Sequence, residues 1–227
     1  MKLKQALWLS IACLLYVGAG QAQAASITIF NTGVNGSGVS LGNGSTLETH
    51  YSLFSVPGGL STILTRDSSG GFPVNFYTGT PDSSTSMWIG PNNNSQLVSP
   101  IGEYIYRTTF DLTGFDPATA SLAGKWTTDN NGLDIRINGA SLGYTTGFAS
   151  FNDGFSPFTV TSGFISGLNT LDFVVNNGLV AIGNTIDNPA ALRVEVSGTA
   201  SVPEPASLFL LGSGFVALAA WRRRHAA

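Results

Sequence analysis

Between residues 25 and 201 the apolar side chains recur at every second position, and no segment carries a 3.6-residue apolar stripe of helix length, which restricts the chain to β-structure. Leu133, Ile135 and Ile137 alternate with Asp134 and Arg136. Leu171, Phe173 and Val175 alternate with Asp172 and Val174, and Leu192, Val194 and Val196 alternate with Arg193 and Glu195. Tyr104, Tyr106, Thr108, Phe110 and Leu112 give a longer strand, and Leu122, Gly124 and Trp126 another. Successive side chains of a strand point to opposite faces, so each segment has one core face and one wetter face. Asn138-Gly139 is a hairpin signal between two such runs. Short strands of this kind, without an internal repeat, predict an all-β fold built as a β-sandwich or jelly roll rather than a solenoid.

The two ends have a different character. Lys2 and Lys4 precede an apolar run over residues 6–17, and Ala22-Gln23-Ala24 supplies the small residues a signal peptidase requires. The expected organisation is a signal peptide over 1–24, a β-sandwich ectodomain over 25–201, and a C-terminal sorting segment over 202–227. Cys13 falls within the leader, so the ectodomain has no cysteine, which excludes disulfides and thiolate chemistry there. The ectodomain keeps five basic residues against twelve acidic ones, a net charge of −7, which disfavours nucleic acid and anionic lipid as partners.

The C-terminal segment has three parts. Pro203-Glu204-Pro205 is an extended strip, because each proline fixes φ and removes a donor. Sixteen residues without a charge follow, from 206 to 221. At ~1.5 Å per residue they make a helix of roughly 24 Å, short of the ~30 Å hydrocarbon core and marginal as a permanent anchor. Arg222, Arg223 and Arg224 close the segment and, by the positive-inside rule, stay on the cytoplasmic side with Trp221 at the interface. The layout resembles the PEP-CTERM sorting signal. The resemblance implies a membrane protease of the exosortase type as processing partner, a transmembrane sorting helix holding the precursor in the inner membrane through 206–221, and a final location at the cell surface or outside the cell.

Residues 102–199 carry a second resemblance. It rests on Arg107-Thr108-Thr109-Phe110-Asp111-Leu112, on the run from Ala120 to Trp126, and on Asp129-Asn130-Asn131-Gly132-Leu133-Asp134. Ile135-Arg136-Ile137-Asn138-Gly139, Phe158-Thr159-Val160 and Gly167-Leu168-Asn169-Thr170-Leu171 complete it. Together they are similar to the galactose-binding-like jelly roll found in glycosidases and carbohydrate-binding modules. With the sorting signal, which travels with exopolysaccharide-producing Gram-negative bacteria, the resemblance implies extracellular polysaccharide as the default ligand.

Strand parity places the loops. If the chain reverses at each turn, the loops 91–99, 128–132, 145–156 and 177–190 gather at one pole, away from the tight turns. That pole holds amide and carboxylate groups suited to sugar hydroxyls, and Asn92, Asn94, Trp126, Asp129, Asn131 and Asp153 are the candidate ligand residues. The competing reading is that Asn, Asp and Gly are simply turn formers and that Trp126, on an alternating strand, is core. Asp129, Asn131 and Asp134 are the candidates for a structural calcium, although their loop lacks the Asp-x-Asp-x-Asp-Gly pattern and a closing Glu, and a plain turn competes.

No catalytic residue is assigned and no other cofactor is expected. Gly38-Val39-Ser40-Leu41-Gly42 fits Gly-x-Ser-x-Gly, but no helical pattern follows it and the one histidine outside the leader and tail, His50, is in the wrong chain order for a triad. The expected function is an exported, non-enzymatic surface or matrix protein that binds polysaccharide. A secreted glycoside hydrolase and a purely structural or adhesive protein are the alternatives.

Overall fold

The computed structural model describes residues 23–41, 47–57, 65–66, 83–91, 99–178, 189–204 and 206–225. Most of the segment expected as a signal peptide, residues 1–22, and Asn92, Asn94 and Pro205 lie outside them. The chain divides into two units, one of Ser26–Ala200 and one of the residues on either side of it.

The larger unit is β-structure. The strands of the chain are β1 (Gln23–Ser26), β2 (Tyr51–Ser55), β3 (Thr65–Arg66), β4 (Ile89–Gly90), β5 (Gly102–Asp111) and β6 (Asp116–Asp129). They continue with β7 (Asn131–Ile137), β8 (Ala140–Ser141), β9 (Ser156–Val160), β10 (Leu168–Asn177) and β11 (Ala191–Val202). One turn of helix, α1 (Ser150–Asp153), precedes β9. Two antiparallel sheets result, one ordered β3-β4-β11-β6-β9 with β1 also paired to β11, the other β2-β5-β10-β7-β8. From β8 onward successive strands alternate between the sheets, which is sandwich connectivity.

The alternating residues meet between the sheets. Trp126 and Phe158 of one sheet each lie 5.8 Å, centroid to centroid, from Phe173 of the other. Ile135, Leu171, Val175, Leu192 and Val194 fill the same core with no exposed surface. Each such side chain contributes about 1.5–3 kcal/mol on burial.

One strand departs from strict alternation. Between β7 and β10 the pairing jumps from Asp134 opposite Val174 to Gly132 opposite Val175, so Leu133 is the extra residue of a bulge. Leu133, expected on the core face with Ile135 and Ile137, is therefore 42% exposed. Gly132 takes the inward position. A Cβ there would collide with the Trp126 indole, so the bulge makes room for Trp126 by placing the one residue without a side chain against it.

The Asn138-Gly139 turn forms as expected, both residues at positive φ (49° and 84°), which is the hairpin geometry this pair favours. The Asn138 side chain also accepts from Thr170 N–H and donates to Gly163 O and Asn169 Oδ1. Asn169 is fully buried and ties down its own loop by donating to Ile165 O and Gly167 O and accepting from Ile165 N–H. The two asparagines of the jelly-roll resemblance are thus backbone organisers.

Asp172 shows how a carboxylate is tolerated on the outward face of the other sheet. Register places it between Arg107 on β5 and Arg136 on β7. Arg107 donates to both its oxygens, at 2.6 and 2.8 Å, and stacks on Phe54 with its guanidinium carbon 3.5 Å from the ring centroid. Bidentate, charge-assisted bonding of this kind offsets desolvation.

β9 ends its sheet, and that edge is closed by side chains. Tyr144 donates its hydroxyl to Thr159 O and accepts from Thr159 N–H, at 2.9 and 3.1 Å, while Pro157 has no N–H to offer. The Gly- and Ser-rich segment beginning at Asn31 is anchored at its start. Thr32 and Val34 are buried, and Gly33 N–H donates to the buried Glu48 carboxylate.

The smaller unit contains α2 (Ala206–His225), on which Leu210, Phe215 and Trp221 are more than half exposed. Arg222, Arg223, Arg224 and His225 occupy its last turn, where cations complement the helix dipole. Among the described residues no helix is long and apolar enough to cross a membrane. The expectation of a transmembrane helix over 206–221 is thus met for the helix and not for the span. Ser207, Gly212, Ser213 and Gly214 dilute the apolar stretch, and the basic last turn shortens it.

Candidate functional site

The described parts of the loops that strand parity sends to one pole do meet there. Thr128 and Thr146 share a hydrogen bond between hydroxyls, Gly132 N–H donates to Thr146 Oγ1, and Thr128 N–H donates to Ser150 Oγ. Gly178 N–H donates to Asn130 Oδ1, and Asn177 donates to Ser99 O. Side-chain oxygens of short Thr, Ser and Asn residues satisfy the backbone where strands end and no ladder continues.

This geometry changes the role of two candidate ligand residues, Trp126 and Asp129. Trp126 has no exposed surface and belongs to the core between the sheets, because its strand alternates inward at that position. Asp129 is 4% exposed and its Oδ1 accepts from the neighbouring Asn130 amide. Both are structural members of the pole rather than groups offered to a ligand. Asn131 is half-buried in β7 opposite Asn176. Asp153, on α1, is exposed, as are Asn152 and Phe148. Among nearby aromatic residues, Trp88 is buried with Ala191 and Phe151, and Tyr144 guards the β9 edge.

The calcium candidates do not converge. Asp134 sits on the outward face, where Oδ2 pairs with Arg136 Nε at 3.1 Å and Oδ1 accepts from Gly143 N–H. Among the described residues no group of three or more His, Cys, Asp and Glu residues is placed to hold a metal. Ser40 bridges to Val34 across a turn organised by Asn35, whose Oδ1 accepts from Ser37 and Val39 N–H. His50 stacks on Phe30 with centroids 3.8 Å apart.

A groove of about 460 Å³ lies elsewhere, on the outward face of the β6-β11 sheet. Ala123 and Pro157 form part of its floor, and Asn31, Lys125, Glu195 and Ser197 supply polar groups. Lys125 pairs with Glu195 at 2.9 Å, and the Ser86 hydroxyl donates to Glu195 while accepting from Arg193 Nε. Arg193 is almost wholly buried; its second donor reaches Ser83 Oγ, and it lies 5.2 Å from the Phe155 centroid. Burial pushes the Glu195 carboxyl up, but hydrogen bonds from Lys125 and Ser86, with the charges of Lys125 and Arg193, outweigh it and hold the group below its ordinary value of 4.5.

A pH dependence follows. The unfolded chain takes up the Glu195 proton at a higher pH than the folded one, so this stabilisation is intact above about 4.5 and is lost as pH falls through the lower folded value. Melting temperature measured from neutral pH downward should drop through that range, and Glu195→Gln should flatten the drop. An unchanged slope in the variant would show that the pairing contributes nothing.

Sequence alternation marks Lys125 and Glu195 as outward-facing, yet nothing in it pairs β6 with β11 or brings in Asn31 and Ser86, each more than a hundred residues from Glu195.

At the chain's other feature, Val202, Pro203 and Glu204 are exposed between β11 and α2. Residues 201–224 match the PEP-CTERM protein-sorting motif. No curated protein matches the chain. The exposed Pro-Glu strip, the helix after it and its basic last turn fall within the matched residues, so the chain carries a PEP-CTERM sorting segment there, which supports export and sorting to the cell surface with exosortase as the processing partner.

Proposed function

We propose that the protein is a non-catalytic surface or matrix component whose β-sandwich binds extracellular polysaccharide in the groove beside Lys125 and Glu195. The observation that carries this reading is the groove itself: an open trough with an apolar floor at Ala123 and Pro157 and polar groups along it. A pyranose ring has the same two characters, apolar on its C–H faces and hydroxylated at its rim. The galactose-binding-like jelly-roll resemblance supports the ligand class. In this reading α2 associates with the inner membrane before processing, and the leader is removed on export.

The test is a glycan array on the processed protein, with and without calcium. Binding without turnover is expected, weakened at least tenfold by Lys125→Ala together with Asn31→Ala and unaffected by Asp153→Ala. Release of reducing ends would favour a hydrolase instead. Absence of any glycan signal would favour a purely structural or adhesive role.

A further inference from the structure

We propose that sorting cuts the peptide bond between Pro203 and Glu204, a position that the motif match does not assign; the inference rests on the exosortase reading above. β11 runs as strand to Val202, and Ala200 is 1% exposed. α2 begins at Ala206. A protease needs its substrate laid out in extended form, and backbone held in a sheet ladder or a helical turn is not free to be so presented. Four bonds, from Val202 to Ala206, lie between the end of the strand and the start of the helix.

Chemistry narrows these four. The bonds from Val202 to Pro203 and from Glu204 to Pro205 are tertiary amides with no N–H, and their leaving nitrogen is locked in a ring. The bond entering Ala206 leads directly into the first residue of the helix. The bond between Pro203 and Glu204 alone is a secondary amide flanked by two exposed residues outside regular structure. In its hydrolysis, water adds to the Pro203 carbonyl carbon and the C–N bond breaks. The Glu204 nitrogen leaves with a proton as a new N terminus, and Pro203 becomes the C-terminal residue. The cut leaves β11 whole, so the released sandwich keeps every strand.

The experiment is intact-mass measurement and C-terminal peptide sequencing of the full chain recovered from exosortase-bearing cells. The expected product ends at Pro203, either as a free carboxylate or with an amine-bearing group joined to that same carbonyl. A product ending at any other residue overturns the inference while leaving the exosortase reading intact. A chain recovered uncut to Ala227 sinks the exosortase reading and this inference with it. Glu204→Pro turns the bond into a tertiary amide and should stop cleavage there, and a variant product still ending at residue 203 would also overturn the assignment.

Discussion

Ile135→Asp should leave no folded sandwich, whereas Leu133→Asp, two residues earlier on the same strand, should be tolerated. Ile135 has no exposed surface, and its β10 neighbour is Phe173, the ring that Trp126 and Phe158 both touch. Removing the side chain alone costs about 2–5 kcal/mol, and burying a carboxylate with no partner adds several more. Set against a typical total of about 5–15 kcal/mol, that is enough to unfold a domain. Leu133 is lifted out by the bulge, so a charge there meets water and should change stability by less than ~0.5 kcal/mol. Circular dichroism and thermal melting of both variants decide the matter. Equal damage at the two positions would mean that β7 has no bulge and that strict alternation holds through Gly132.

Replacing Pro203, Glu204 and Pro205 together by alanine should abolish release, leaving a precursor that retains its basic C-terminus in the membrane fraction. Two effects act in the same direction. The substitution removes the exposed carboxylate, and it replaces the residues that keep the strip extended with the residue that favours helix most. α2 would then extend backward toward Val202 and hide the backbone a protease must reach. A blot of membrane and released fractions reads the result directly. Normal release of the triple variant would remove the functional meaning of the match over residues 201–224.

The period-two pattern was a sound guide to which residues form the core, because burial on one face of a strand leaves its mark on adjacent positions. Ile135, Phe173, Val175, Leu192 and Trp126 are all inside, as alternation implies. Parity likewise brought the 128–132 and 145–156 loops to one pole, where Thr128 and Thr146 join them. What alternation does not encode is a slip in the ladder. The bulge at Leu133 arises from a steric demand, the space of the Trp126 ring, made by a different strand. Asp129, one of the candidate ligand residues, is buried for a related reason. Asp129 and its neighbours have the composition of an exposed loop, but strands that end in a pole must satisfy their last backbone groups, and the same side chains do that from within. The groove was illegible because its polar groups come from β6, β11 and the segments near Asn31 and Ser86, joined only by the sheet order.

Wherever copies of one β-rich chain lie side by side, an open strand edge is a template for intermolecular sheet growth. The β9 edge does not offer that template: Tyr144 already occupies the donor and the acceptor of Thr159, and Pro157 lacks a donor altogether. A neighbouring strand approaching this edge finds both pairing groups of Thr159 spent on the chain's own tyrosine. Crowding of such sandwiches against one another therefore gives no growth point at Thr159, and each unit can keep its own fold there at high local concentration.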